Sequence, residues 1–228
     1  GKASIIDNNF LPDDKLFSFF GRANYDYKGK YLLSATFRAD GSSKFSAENH
    51  WGYFPSVSAG WAISNEEFMK SIKFLDLLKV RASYGIVGND GGLGYYPYQA
   101  LYTLGRNNNA EPGFTQASIP NPNLTWETAN NFDLGVDFSL FKGKLSGSIE
   151  YFNRETDGLI FNVPLPLSSG GTTSGGFTTP QNIGNLYNRG FEFQLTGDII
   201  NTGDFKYSAT LNATTLKNQI TKMPDNQP

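Results

Sequence analysis

Phe132-Asp133-Leu134-Gly135-Val136-Asp137-Phe138-Ser139-Leu140 alternates without a break. Phe132, Leu134, Val136, Phe138 and Leu140 are all apolar. The residues between them are small or charged. Successive side chains on a strand point to opposite faces, so this stretch is a strand with one greasy face and one wet face.

Working outward from it, the same period-two pattern occupies eight segments: residues 17–27, 31–38, 53–63, 77–87, 127–140, 144–157, 189–199 and 205–216. Tight polar connections join some of them, as at Lys28-Gly29-Lys30 and Asn201-Thr202-Gly203. Long ones join others, at 39–52, 88–125 and 158–188. A connection as long as 88–125 is improbable in a compact domain unless it has a job. Pro55 is placed near the start of its strand, where a missing N–H is tolerated. Ser64 with Glu67 three residues later resembles a capping box, which predicts a short helical turn between 64 and 76.

Strands of about ten residues, tilted, cross a hydrocarbon layer of roughly 25 Å. Short and long connections alternate, so they sort to opposite ends of the wall. Outer-membrane barrels carry short periplasmic turns and long extracellular loops. That orientation puts Lys28-Gly29-Lys30 and Asn201-Thr202-Gly203 in the periplasm and the two longest loops, 88–125 and 158–188, outside. The fold class read from this pattern is all-β, an antiparallel transmembrane barrel wall. Two other readings share the alternation: a soluble carbohydrate-binding β-sandwich and a small self-closed barrel with a structural or adhesive role.

Composition narrows the function classes. The 228 residues carry a formal net charge of -2, no cysteine and one histidine. Disulfide scaffolds, cysteine zinc sites, thiol nucleophiles and clustered-histidine metal sites are excluded. Charged residues reach only 18% while aromatics reach 15%, a charge-poor and aromatic-rich balance that suits a lipid-facing wall. The near-neutral charge leaves no footprint for nucleic acid. No apolar run is long enough for a transmembrane helix, which says nothing against a barrel. Residues 1–15 read as loop, and the chain is expected to be a piece of a longer protein.

Candidate chemistry is sparse. His50 is the one possible base, and no Gly-x-Ser-x-Gly elbow accompanies it. Asp13-Asp14 and Glu66-Glu67 are adjacent carboxylates, better suited to solvated or capping roles than to acid–base work. Gly92-Leu93-Gly94 precedes Tyr95-Tyr96-Pro97 rather than a helix, so it is no dinucleotide fingerprint. Neither a catalytic residue nor a metal or cofactor is expected. Tyr95, Tyr96, Tyr98 and Tyr102 crowd the first long loop and are candidates for gripping a ligand or partner. Arg22, Arg81, Asp133, Asp137, Glu150 and Glu192 fall on the wet face and are assigned to a lumen.

The wording of the strands adds a resemblance. Phe20-Gly21-Arg22-Ala23-Asn24-Tyr25 leads to a stretch from Tyr31-Leu32-Leu33-Ser34-Ala35-Thr36-Phe37-Arg38 through Asp40-Gly41-Ser42-Ser43-Lys44-Phe45. Phe54-Pro55-Ser56-Val57-Ser58-Ala59-Gly60-Trp61 and Leu78-Lys79-Val80-Arg81-Ala82-Ser83-Tyr84-Gly85 follow. Asn121-Pro122-Asn123-Leu124-Thr125-Trp126-Glu127-Thr128 and Asn188-Arg189-Gly190-Phe191-Glu192-Phe193 complete the set. Together these closely resemble the SusC/RagA family of TonB-linked outer-membrane transporters. The resemblance implies a 22-stranded barrel of which this chain supplies about eight strands. It also implies a plug inside the barrel, a SusD-like lipoprotein lid, TonB drive through the plug, and import of oligosaccharides or peptides. On this reading residues 1–16 are loop, 17–217 are partial barrel and 218–228 begin the next loop. Outer-membrane lipid and the remaining strands of the same protein would cover the rest.

Overall fold

The computed structural model describes residues 14–104, 113–116, 119–166, 168 and 178–223. Eight long strands form one antiparallel sheet: β1 (Leu16–Tyr27), β2 (Tyr31–Ser42), β3 (Trp51–Ala62), β4 (Leu75–Asn89), β7 (Glu127–Leu140), β8 (Leu145–Pro164), β9 (Thr178–Thr202) and β10 (Phe205–Lys222). They lie in the order β1-β2-β3-β4-β7-β8-β9-β10, each beside its chain neighbour in the sheet. A small hairpin of β5 (Tyr102–Leu104) and β6 (Phe114–Gln116) sits within the long connection before β7.

Register fixes the two faces. Ala82, Leu134 and Tyr151 align across β4, β7 and β8, as do Val80, Val136 and Ile149. The apolar row therefore continues from strand to strand. Its members are open: Leu33, Val57, Leu134, Ile149, Phe193 and Leu211 are all exposed. So large an uncovered apolar surface needs lipid against it. No second sheet packs on either face among the described residues, which removes the sandwich. β1 and β10 do not pair with each other, so the sheet is an open arc and not a small closed barrel. Two free edges of N–H and C=O groups in lipid would cost several kcal/mol per group, and further strands must complete the wall.

Several strands outrun their expected ends. β8 and β9 pair from Leu145↔Gly197 to Pro164↔Thr178, well into the stretch read as loop. β10 continues to Lys222, past the boundary expected at 217. The cause is that the period-two signal exists only where one face meets lipid. Beyond the membrane both faces are wet, and a ladder leaves no apolar stripe to read. β9 has 25 residues, about 80 Å of extended chain, whereas roughly 11 residues span a bilayer. The β8–β9 hairpin thus stands far beyond the long-loop end. Pro55 also differs from expectation, being the fifth residue of β3. It is tolerated because the β4 ladder covers only Ser56–Ala62, so Pro55 lies outside it.

The short-turn end is built from backbone geometry and one carboxylate. Lys28 and Gly29 both have positive φ, 56° and 63°, as a type I′ hairpin turn requires. The Gly29 N–H donates to Asp26 Oδ1 at 2.7 Å. Between β3 and β4 the chain makes two single 3-10 turns, Ile63–Asn65 and Glu67–Met69. The expected capping box is absent: neither turn has a side-chain cap, and Ser64 Oγ has no partner. Glu66 holds the segment instead. It accepts from Lys30 Nζ and Tyr31 OH at 2.8 Å each and from Trp61 Nε1 at 3.1 Å. Trp61 stacks on Tyr31 and Tyr31 on Tyr27, so Glu66 ties the polar tips of an aromatic row at the membrane boundary.

Those donors from Lys30, Tyr31 and Trp61 favour the carboxylate and hold Glu66 down at about 2, from an ordinary value of 4.5. A depressed carboxyl stabilises the fold above the unfolded value and loses that contribution as pH falls towards the folded one. Carboxyl titration by NMR of the receptor in micelles is therefore expected to give Glu66 a midpoint near 2. A midpoint at the ordinary value would show that the three bonds do not form.

Candidate functional site

The wet face carries an ionic clamp. Arg81 on β4 pairs in register with Gly135 on β7, which pairs with Glu150 on β8. A Cβ on Gly135 would stand 2.9 Å from the Arg81 guanidinium carbon. Glycine thus lets the Arg81 side chain lie across β7. From there its Nε reaches Asp137 at 3.2 Å and its Nη2 pairs with Glu150. One guanidinium ties three strands, using the fork geometry that lysine lacks.

The other wet-face residues take separate places. Asp133 accepts from Ser83 Oγ at 3.2 Å, and Arg22 donates to Thr36 Oγ1 at 3.0 Å. Glu192 stands opposite Glu150 across β8 and β9. Neither Arg22 nor Glu192 has an ion pair among the described residues. A groove of about 560 Å³ runs along this face, lined by Asp26, Ser34, Ser58, Lys79, Arg81 and Asp133 among others.

At the long-loop end four apolar side chains make the one buried cluster of the described chain. They are Phe45, Phe54, Leu124 and Trp126, with Leu124 fully inaccessible. Trp126 meets Phe45 and Phe54 at ring-centroid distances of 5.1 and 5.4 Å. Polar groups around it bind three connections together. Trp126 Nε1 donates to the His50 carbonyl at 3.3 Å. Ser46 Oγ and Asn49 Nδ2 both reach the Pro122 carbonyl. Asn121 Nδ2 donates to the Pro180 carbonyl at 2.7 Å. Asn182 on β9 accepts from the Thr125 N–H and donates to the Thr125 and Gly158 carbonyls. Lys44 bridges Asp90 and Asp14. Burial works to lower its pKa, but these two carboxylates outweigh that and raise it.

Residues 121–126 carry part of the family resemblance, but their role as the knot of the loop end is not legible in the sequence, nor are Arg38–Asp40 and Glu66 as paired groups. The signal that existed was a buried-type Leu and Trp inside an otherwise polar connection.

The four tyrosines do not form one platform. Tyr96 and Tyr98 meet edge to face at 6.4 Å. Tyr102 meets Phe114 across the β5–β6 hairpin at 5.6 Å. Tyr95 is exposed. His50 lies 5.5 Å from Trp51, and its carbonyl serves the loop knot. Ser169-Gly170-Gly171 and Gly175-Gly176 of the second long loop lie outside the described residues, as does Asp13 of the first carboxylate pair.

Comparison with known proteins agrees with this architecture. Residues 3–227 match the family described as TonB dependent receptor-like, beta-barrel. TonB-dependent receptor P39 of Formosa agariphila is 39% identical over 210 residues, covering 92% of this chain and 20% of the relative. TonB-dependent receptor SusC of Bacteroides thetaiotaomicron is 38% identical over 220 residues, covering 94% and 22%. The RagAB peptide importer in its open-open state superposes with a TM-score of 0.84 at 30% identity, over 94% of this chain and 23% of that one. The siderophore receptor PirA from Pseudomonas aeruginosa shares the fold, with a TM-score of 0.61 at 20% identity. The chain spans about a fifth of the length of the curated relatives it matches. An open amphipathic arc, the SusC-like strand wording and a match along almost the whole chain converge: this chain is part of a bacterial outer-membrane β-barrel and belongs to the TonB-dependent receptor family.

Proposed function

We propose that this chain forms part of the wall of an importer that carries oligosaccharides or peptides across the outer membrane, driven by TonB and served by a SusD-like lipoprotein lid. The observation that carries the reading is the two-faced arc, apolar outside and charged inside, on a chain related to SusC. RagAB, its structural neighbour, is a peptide importer. The chain's part in transport is mechanical and electrostatic, and no covalent step is assigned to it. The Arg81–Asp137–Glu150 clamp stiffens the wall. Arg22 and Glu192 keep charges available to whatever fills the lumen, including a plug from the rest of the protein. Tyr95, Tyr96, Tyr98 and Tyr102 stand at the end where a lid and substrate would meet the barrel.

Orientation follows from the loops, with the long-loop end outside the cell. The chain holds no cysteine, which permits a direct test in the full-length receptor. Glu48→Cys is expected to react with a membrane-impermeant maleimide on intact cells, and Lys142→Cys only after lysis. Import is tested by uptake of labelled glycan and peptide mixtures in cells with and without the receptor and TonB. Uptake of at least one class should require both. Unchanged uptake of every component on deleting the receptor would end the importer reading.

A further inference from the structure

Resting on the importer reading above, we propose that the cargo crosses this barrel along the inward wall of β1–β4 and β7, and that this stretch is built for a polyhydroxylated chain. Two rows of short polar side chains cross these five strands in register. Asn24, Ser34, Ser58, Ser83 and Asp133 form one row, and Arg22, Thr36, Ser56, Gly85 and Asn131 the other. Between them runs Ala23, Ala35, Val57, Tyr84 and Phe132, which points to lipid. The two polar rows therefore point to the opposite face. The groove of about 560 Å³ lies over the first row. A second groove of about 230 Å³ lies over the other, and the two share Ser34, Ser58, Ser83 and Asp133. Together they make one polar terrace. It stops at β8, where Asp133 pairs with Phe152 and Asn131 with Arg154. There the Arg154 guanidinium lies over the Phe152 ring, 5.4 Å from its centroid.

Glycine keeps the terrace low. A Cβ on Gly60 would stand 3.2 Å from Lys79 Cε, just as one on Gly135 would crowd Arg81. Both long cations therefore lie along the wall and leave the space above it open. Two features choose the occupant. The first is free hydrogen-bonding capacity. Ser83 Oγ donates to Asp133, and Thr36 Oγ1 accepts from Arg22. Among the described residues no group holds the hydroxyls of Ser34, Ser56 and Ser58. Each hydroxyl can both donate and accept. Such groups bond water at rest and exchange it for a solute hydroxyl at little net cost. The second feature is shape. Leu32 and Gly60 line the larger groove beside these hydroxyls and give it an apolar floor. A sugar ring has the same make-up, with hydroxyls around its edge and C–H groups on its faces. A chain of such rings regains the same contacts after each advance of one ring, which a peptide of mixed side chains does not.

The test uses the full-length receptor, freed of any cysteine elsewhere, in its own outer membrane. Ser58→Cys stands in the groove. Thr210→Cys, the control, stands on the same face of β10, outside the groove, where Thr210 bonds Thr196. Intact cells are treated with a hydrophilic methanethiosulfonate that carries a bulky uncharged group, and mass spectrometry measures how far each position has reacted. Uptake of labelled oligosaccharide and peptide mixtures is compared before and after treatment for each variant. At equal labelling, the receptor modified at position 58 is expected to lose most of its oligosaccharide uptake, and the one modified at 210 to keep most of its own. Added unlabelled oligosaccharide is expected to slow the reaction at 58 and leave that at 210 unchanged. Oligosaccharide uptake that survives full labelling at 58, or that falls equally with labelling at 210, would overturn the proposal. So would a position 58 that stays unlabelled while 210 reacts, because another part of the protein then fills the groove. Loss of peptide uptake alone would also overturn it. Cells lacking the receptor, measured alongside, test the importer reading separately: unchanged uptake there would overturn both.

Discussion

A Val136→Arg receptor is expected to lose most of its accumulation in the outer membrane, while Asp137→Asn accumulates normally. Val136 lies on β7 between Val80 of β4 and Ile149 of β8, on the apolar face. It sits five residues from the turn at 141, close to the middle of a span of about 11 residues. An arginine facing lipid near the midplane costs about 2–4 kcal/mol, and its neighbours offer no carboxylate on that face. Asp137, one residue on, points to the opposite face and pairs with Arg81. Removing its charge leaves Arg81 paired with Glu150, so the guanidinium is not stranded. Quantitative blotting of outer-membrane fractions checks both variants. Equal accumulation of the two would show that the faces are assigned the wrong way round or that the wall is not in lipid.

Trp126→Ala is expected to free the long-loop end without dismantling the barrel. Trp126 is buried against Phe45, Phe54 and Leu124 and ties down His50. Deleting a buried tryptophan side chain typically costs 3–5 kcal/mol, so about that much local stability should go. The barrel strands below are held by their own ladders and by lipid, and they do not depend on this cluster. Limited proteolysis of the purified receptor should therefore cut the variant within residues 43–50 or 119–126, where the parent resists, while heat stability of the barrel changes little. Loss of the folded barrel would mean the cluster is a core for the whole arc. An unchanged digestion pattern would mean that the polar bonds of Asn121 and Asn182 hold the loops alone.

The separation of these two effects reflects which parts of the molecule the sequence can encode locally. Phe132–Leu140 announced its strand, its two faces and its partners in the membrane from nine residues. Lipid on one side and water on the other impose an alternation that needs no knowledge of the rest of the chain. Five of the eight long strands were recovered with both ends within about four residues; β8, β9 and β10 were not, because their outer parts have water on both faces. The turn between β3 and β4 was expected in the right place with the wrong device. Ser64 and Glu67 have the spacing of a capping box, but Glu66 has three donors supplied by β2 and β3, and those exist only after the hairpins pair.

Of the candidate residues, sequence alone placed Arg22, Arg81, Asp133, Asp137, Glu150 and Glu192 on one face. It could not say that Arg81 crosses a glycine to join Asp137 and Glu150 while Arg22 and Glu192 stay without ion pairs among the described residues. It grouped four tyrosines by nearness in the chain, and the fold sets Tyr96 against Tyr98 and sends Tyr102 to a separate hairpin. The amphipathic wall was fixed by periodicity, a property of neighbours two residues apart. The clamp, the loop knot and the groove were decided by the tertiary structure. Their contacts join residues dozens of positions apart, and only strand register brings those side chains within reach of one another.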